Sequence, residues 1–90
     1  MQICELTIVN SLGLHARAAA KFVHTAGAFN AHIRVARGDR EVDGKSIMGL
    51  MMLAAGHGAK LIVTAEGTDA EEAVMELGLL IQNGFEDQDQ

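Results

Sequence analysis

From Ile3 to Val9 the chain alternates: Cys4, Leu6 and Ile8 fall on one face, Glu5 and Thr7 on the other. That is the period of a half-buried β-strand. Asn10 to Gly13 carries turn residues. From Ala16 the period becomes helical, with Ala19, Phe22, Val23 and Ala26 on one stripe and Gly27 placed to stop it. Alternation returns where Ala31, Ile33 and Val35 interleave with His32 and Arg34. Gly38-Asp39 then reads as a tight hairpin turn into a short strand, Arg40 to Val42. Asp43-Gly44-Lys45-Ser46 is a loop ending in a favoured N-cap residue, and a short helix is expected from Ile47 to about Ala55. Lys60 to Glu66 alternates again, and Gly67 turns the chain. Thr68 with Glu71, or Asp69 with Glu72, supplies a capping signal. Ala73, Val74, Leu77, Leu80 and Ile81 define a last amphipathic helix ending near Asn83-Gly84.

The predicted order is β-α-β-β-α-β-α. Four short strands with one apolar face each predict an α+β fold, an antiparallel sheet covered by helices on one side and open to water on the other. Ninety residues hold one thin core and no deep cavity for a large cofactor. One domain is expected over residues 1–85, followed by a solvated acidic tail, Glu86-Asp87-Gln88-Asp89-Gln90.

Composition narrows the function. Hydrophobic residues at 49% and charged residues at 21% are globular values. A net charge of -5, with no Trp or Tyr and only 3 Phe, argues against nucleic acid as a partner. Cys4 is the single cysteine, so no intramolecular disulfide forms, which suits a reducing compartment. The start shows no signal-peptide pattern, and no apolar run approaches the roughly 20 residues of a membrane span. A cytoplasmic protein without a membrane partner is the expectation.

The candidate chemistry centres on His15, which follows the Gly13-Leu14 turn and opens the first helix. The first N–H groups of a helix lack intrahelical acceptors, and the macrodipole adds positive charge there. Arg17 contributes a permanent cation and a planar fork of donors. Such an end receives a phosphate, and a neutral imidazole beside it is a nucleophile. A histidine that accepts a phosphoryl group fits this arrangement; on local grounds alone, an ordinary exposed residue fits as well. No Walker-type loop, Mg²⁺-binding Asp pair or nucleotide pocket accompanies it, so other proteins must supply and remove the group.

Ser46 has two readings, a routine N-cap and a phosphorylation site whose phosphate the helix start would accommodate. The helix it opens carries Ile47, Met48, Leu50, Met51, Met52 and Leu53 and is apolar nearly all round. Leu50 and Leu53, with Met52 or Ile47 as helpers, are expected to face the core, and Met48 and Met51 to be exposed for partners. His24, His32 and His57 read as surface histidines rather than metal ligands, and no metal or cofactor is expected. Cys4 reads as a small buried apolar residue.

Together, "GLHARAA" (Gly13 to Ala19) and "GKSIMGLMML" (Gly44 to Leu53) resemble the HPr family, the histidine-containing phosphocarriers of the bacterial phosphotransferase system. The resemblance spans nearly the whole chain. It implies four antiparallel strands in the order 1-4-2-3 with three helices on one face, an open-faced two-layer sandwich. It implies that phosphorylated enzyme I phosphorylates His15 on Nδ1 and that IIA-type proteins take the group onward, so that the chain is a carrier and not an enzyme. Arg17 matches the phosphate-side arginine. Ser46 matches the serine that an ATP-dependent HPr kinase/phosphorylase modifies. Ala16, Ala20, Lys21, Lys45, Ile47, Met48 and Met51 match the partner-docking surface.

This chain also departs from the family pattern. Ala18 stands where a proline is common, which loosens the turn slightly. His24 and Gly27 stand where sugar-system members often carry lysines, leaving a thin basic collar of Arg17, Lys21 and Lys45. "SIMGLMMLAA" and the ending "LLIQNGFEDQDQ" look more like NPr, the nitrogen-related paralogue. A regulatory relay fed ultimately by phosphoenolpyruvate is therefore preferred over sugar transport. A regulatory module controlled only through Ser46 and a ferredoxin-like binding domain are the alternatives; His15 with Arg17 weighs against the first, the double motif against the second. A monomer is expected.

Overall fold

Among the described residues four strands form: β1 (Gln2–Thr7), β2 (His32–Arg37), β3 (Arg40–Asp43) and β4 (Lys60–Glu66). The structure is a computed structural model and describes residues 1–86. All pairings are antiparallel, in the spatial order β1-β4-β2-β3. Cys4 lies opposite Val63, Val63 opposite Val35, and Val35 opposite Val42, so one row of apolar side chains crosses the whole sheet. Parity carries Leu6, Leu61, Ile33 and Ala65 to the same face. Helices α1 (Ala16–Gly27), α2 (Ile47–Met52) and α3 (Ala70–Gln82) cover that face. They bury Ala18, Ala19, Phe22 and Ala26 from α1, Leu50 from α2, and Ala73, Leu77 and Ile81 from α3. The other face holds exposed polar side chains such as Glu5, Thr7 and Arg34, the last paired with Glu41 at 3.3 Å.

Element order and topology agree with the reading of the sequence; several boundaries do not. β1 ends its ladder at Thr7, although Ile8 still donates to the Ala59 carbonyl at 2.9 Å and accepts from Gly58 at 2.8 Å. β2 runs past Val35 to Arg37. α2 stops at Met52 rather than near Ala55, because Leu53 caps it and Ala54 turns into the left-handed region at φ 51°.

The capping signal before α3 is also corrected. Asp69 is the N-cap, but its side chain makes no capping bond. Its two carboxylate oxygens instead accept from the backbone N–H groups of Asn30 and Ala31, each at 2.8 Å, and close the turn between α1 and β2. Two well-placed backbone donors satisfy both oxygens at once, which a local cap does not. Asp69→Ala is expected to destabilise the protein by about 2 kcal/mol, measured by chemical denaturation, since hydrogen bonds to a charged group are worth roughly 1.5–3 kcal/mol.

The chain does not leave the core at Asn83-Gly84. A 3-10 turn, Gly84–Glu86, folds Phe85 back until it is fully buried. Of the expected acidic tail, Glu86 is exposed in this turn, and residues 87–90 lie outside the described residues.

Candidate functional site

The loop before α1 is fixed by its own backbone chemistry. Gly13 donates to the Asn10 carbonyl at 3.2 Å, and the fully buried Asn10 side chain donates from Nδ2 to the Gly13 carbonyl at 2.8 Å. Gly13 has φ 69°, and a Cβ there would stand 2.6 Å from the Ala55 carbonyl oxygen and 2.7 Å from Gly56 Cα. Both the dihedral and the close approach call for glycine. Leu14 is buried and donates to the Ala55 carbonyl at 2.8 Å. The chain thus enters α1 pinned on both sides of the turn.

His15 is the N-cap of α1, extended at φ -76° and ψ 178°, and its side chain makes no capping hydrogen bond. The helical ladder opens with Ala19 donating to the His15 carbonyl at 2.8 Å. The N–H groups of Ala16, Arg17 and Ala18 therefore lie ahead of the first intrahelical bond. No acidic residue occupies the first turn to draw on the positive end of the dipole. A half-buried imidazole, a cluster of backbone donors and an arginine share one helix start.

The cations divide. Arg17 is exposed and lines an open groove of about 500 Å³ with Ala20, Lys21, His24 and Glu86 among its walls. Lys21 turns its ammonium to the Phe85 carbonyl at 2.6 Å. Lys45 donates to the Phe29 carbonyl at 2.8 Å, beyond the C-terminal end of α1. A helix of 12 residues is roughly 18 Å long, so the Lys45 ammonium sits at the end of α1 opposite His15. Arg17 is the cation of the first turn. His24 is exposed beside it on the groove, while His32 and His57 are exposed on other elements.

α2 presents the apolar surface. Ser46 caps it, its Oγ accepting from Gly49 N–H at 3.0 Å. Leu50 and Leu53 are buried, as expected. Met48 is 76% exposed and Met51 45%. The expectation that Met52 or Ile47 would help fill the core is overturned: they are 65% and 40% exposed. A helix of 6 residues has room for one inward stripe, and the two leucines take it. α2 packs beside α1, where Ala16 and Ala20 are exposed.

The sequence matches the family described as PTS HPr component phosphorylation site over residues 3–83. The chain belongs to the HPr family. It is 52% identical to the phosphocarrier protein HPr of Pseudomonas aeruginosa over 88 residues, covering 97% of this chain and 98% of that one. It is 36% identical to the phosphocarrier protein NPr of Shewanella violacea over 83 residues, covering 92% and 91%. The fold superposes on HPr-C-His from Thermoanaerobacter tengcongensis with a TM-score of 0.94 at 42% identity, over 98% of this chain and 99% of that one. An HPr dimer from the same organism gives 0.76 at 44% identity, over 94% and 98%.

Within this HPr fold, sequence reasoning named His15, Arg17 and Ser46 but missed Asn10 as the buried latch of the loop. The signal was present: Asn10 and Gly13 stand three apart, and an Asn side chain commonly closes such a turn on the backbone. It also missed the Lys21–Phe85 bond, which joins residues 64 positions apart.

Proposed function

We propose that this HPr-family chain carries a phosphoryl group on His15, accepting it from phosphorylated enzyme I and passing it to IIA-type proteins. An imidazole nitrogen, Nδ1 by the family resemblance, attacks phosphorus. The His15 N–P bond forms as the bond to the donor breaks, and the donor keeps the electron pair. The second transfer reverses these roles, with the acceptor as nucleophile. The observation that carries this reading is the imidazole at an N-cap that it does not cap. The N–H groups of the first turn and the Arg17 guanidinium are suited to the three phosphoryl oxygens. Ala16, Ala20, Ile47, Met48 and Met51 offer protein partners an apolar docking surface, with Lys21 and Lys45 at its margins. The chain is then a substrate of phosphotransferases rather than an enzyme, working as a cytoplasmic monomer.

The branch we infer is the nitrogen-type regulatory relay. The NPr-like segments support it, as does a collar in which two of the three cations reach backbone carbonyls. The greater identity to an HPr than to an NPr favours sugar transport as a second reading. The phosphorylated chain, offered equal concentrations of nitrogen-type and sugar-type IIA proteins, is expected to discharge faster to the first. Faster discharge to the second overturns the branch and leaves the carrier intact.

Ser46 is proposed as the regulatory serine, the target of an HPr kinase/phosphorylase. It opens α2, whose other end adjoins the His15 loop, and 6 residues of helix span roughly 9 Å. One pair of unit charges about 10 Å apart in water is worth about 0.4 kcal/mol. Ser46→Asp is therefore expected to stay folded and to accept phosphate from enzyme I about two- to fourfold more slowly at low salt, the difference shrinking as salt rises. A salt-independent, unchanged rate removes Ser46 from the regulatory account.

A further inference from the structure

The C-terminal end of α2 is held from outside the helix. α2 has no basic residue in its last turn, and the alanine after its cap, Ala54, adopts φ 51°, which disfavours any residue with a Cβ. The last carbonyls of a helix have no intrahelical donors. Here the Leu50 and Met51 carbonyls are taken by the N–H groups of Leu53 and Ala54, each at 3.1 Å. The next three carbonyls are reached by arginines of the β2–β3 hairpin. Arg40 Nη1 donates to the Met52 carbonyl at 2.8 Å. Arg37 Nη1 donates to the Leu53 carbonyl at 3.0 Å and, more weakly, to the Ala54 carbonyl at 3.4 Å.

Arg37 and Arg40 stand directly opposite each other in the sheet register. Like charges so placed repel. Their common target offsets this, because the negative end of a helix attracts guanidinium donors. Parity puts Arg37 on the same face as Ile33 and Val35, the face that the helices cover. One residue beyond the clamped turn, the Ala55 carbonyl accepts from Leu14 N–H at 2.8 Å, next to His15. The arginines thus grip a short length of main chain that ends both the exposed Met51–Met52 surface and the support of the His15 loop.

We propose that Arg37 and Arg40 are positioning residues for phosphoryl transfer, fixing the turn after α2 so that its apolar face and the His15 loop keep one relative placement. The kinetic part of this inference rests on the carrier reading above. Neither side chain touches the reacting atoms.

The test compares Arg37→Ala, Arg40→Ala and the double variant with Arg34→Ala, whose guanidinium pairs with Glu41 on the outer face. Amide hydrogen exchange at Leu14, Leu53 and Ala54 is expected to be about tenfold faster in the double variant, with Val63 in β4 unchanged. In transfer from enzyme I, its KM is expected to rise about fivefold with kcat within about twofold, the pattern of lost uniform binding. Arg37→Lys with Arg40→Lys recovers part of this, and Arg34→Ala matches wild type. Unchanged exchange at the three amides overturns the clamp. Faster exchange with unchanged KM overturns the positioning role. A wild-type chain that takes no phosphate defeats the carrier reading itself, and the exchange measurement still decides whether the arginines hold the turn.

Discussion

His15→Ala is expected to accept no phosphate from enzyme I and to unfold cooperatively with a stability within about 1 kcal/mol of wild type. The first half follows from the proposed chemistry, since alanine has no nucleophile and the backbone donors of the first turn cannot form an N–P bond alone. The second half follows from the geometry. The imidazole does not cap α1, so its removal spares the start of the helical ladder, and replacing a cap that makes no such bond costs little. Leu14 still donates to Ala55, and Ala19 still donates to the carbonyl of residue 15. Phosphate uptake and chemical denaturation on the same preparation check both halves. Loss of cooperative unfolding assigns His15 a structural role. Undiminished uptake moves the acceptor elsewhere, with exposed His24 on the neighbouring groove the first residue to examine.

Gly13→Ala has the largest expected effect on stability. Its φ of 69° is left-handed, which costs an L-residue roughly 1–2 kcal/mol. The new methyl would also meet the Ala55 carbonyl oxygen at 2.6 Å and Gly56 Cα at 2.7 Å, both rigid main chain. Overpacking of this kind costs about 1–3 kcal/mol. A total near 2–5 kcal/mol is expected in urea denaturation. Because the same main chain supports Leu14, uptake from enzyme I is expected to slow even in conditions where the variant is folded. Wild-type stability would show that the Asn10–Gly13 loop and the turn after α2 move apart at little cost, and that neither pins His15.

These effects bear on how far the sequence discloses the molecule. The strand faces were legible because a period of two is a local property: Cys4, Leu6, Ile33, Val35, Leu61 and Val63 turn to the side their alternation predicts. Ser46 as an N-cap was legible for the same reason, since its partner is Gly49, three residues on. The two halves of the site motif lie far apart in sequence, and family resemblance joined them before geometry did. What escaped depends on neighbours that only the tertiary fold brings close. Asp69 looked like the start of a helix signal, but its carboxylate finds Asn30 and Ala31, 39 and 38 residues away. Phe85 follows the expected helix stop with no periodic pattern to place it, yet the left-handed turn at Gly84 and Phe85 returns it to the core. The alternation Ile33, Val35, Arg37 did put an arginine on the covered face, but no pattern in the chain announces the α2 carbonyls that receive it.

The measurement closest to the central claim is direct detection of the phosphorylated product. The chain is incubated with enzyme I and phosphoenolpyruvate, and the intact protein is followed by mass and by phosphorus–proton NMR correlation to the imidazole ring. The account predicts one phosphate per chain, labile in acid, stable in base and bonded to the His15 ring. No phosphate under conditions that label an HPr of established activity, or an acid-stable phosphate on Ser46, would contradict it.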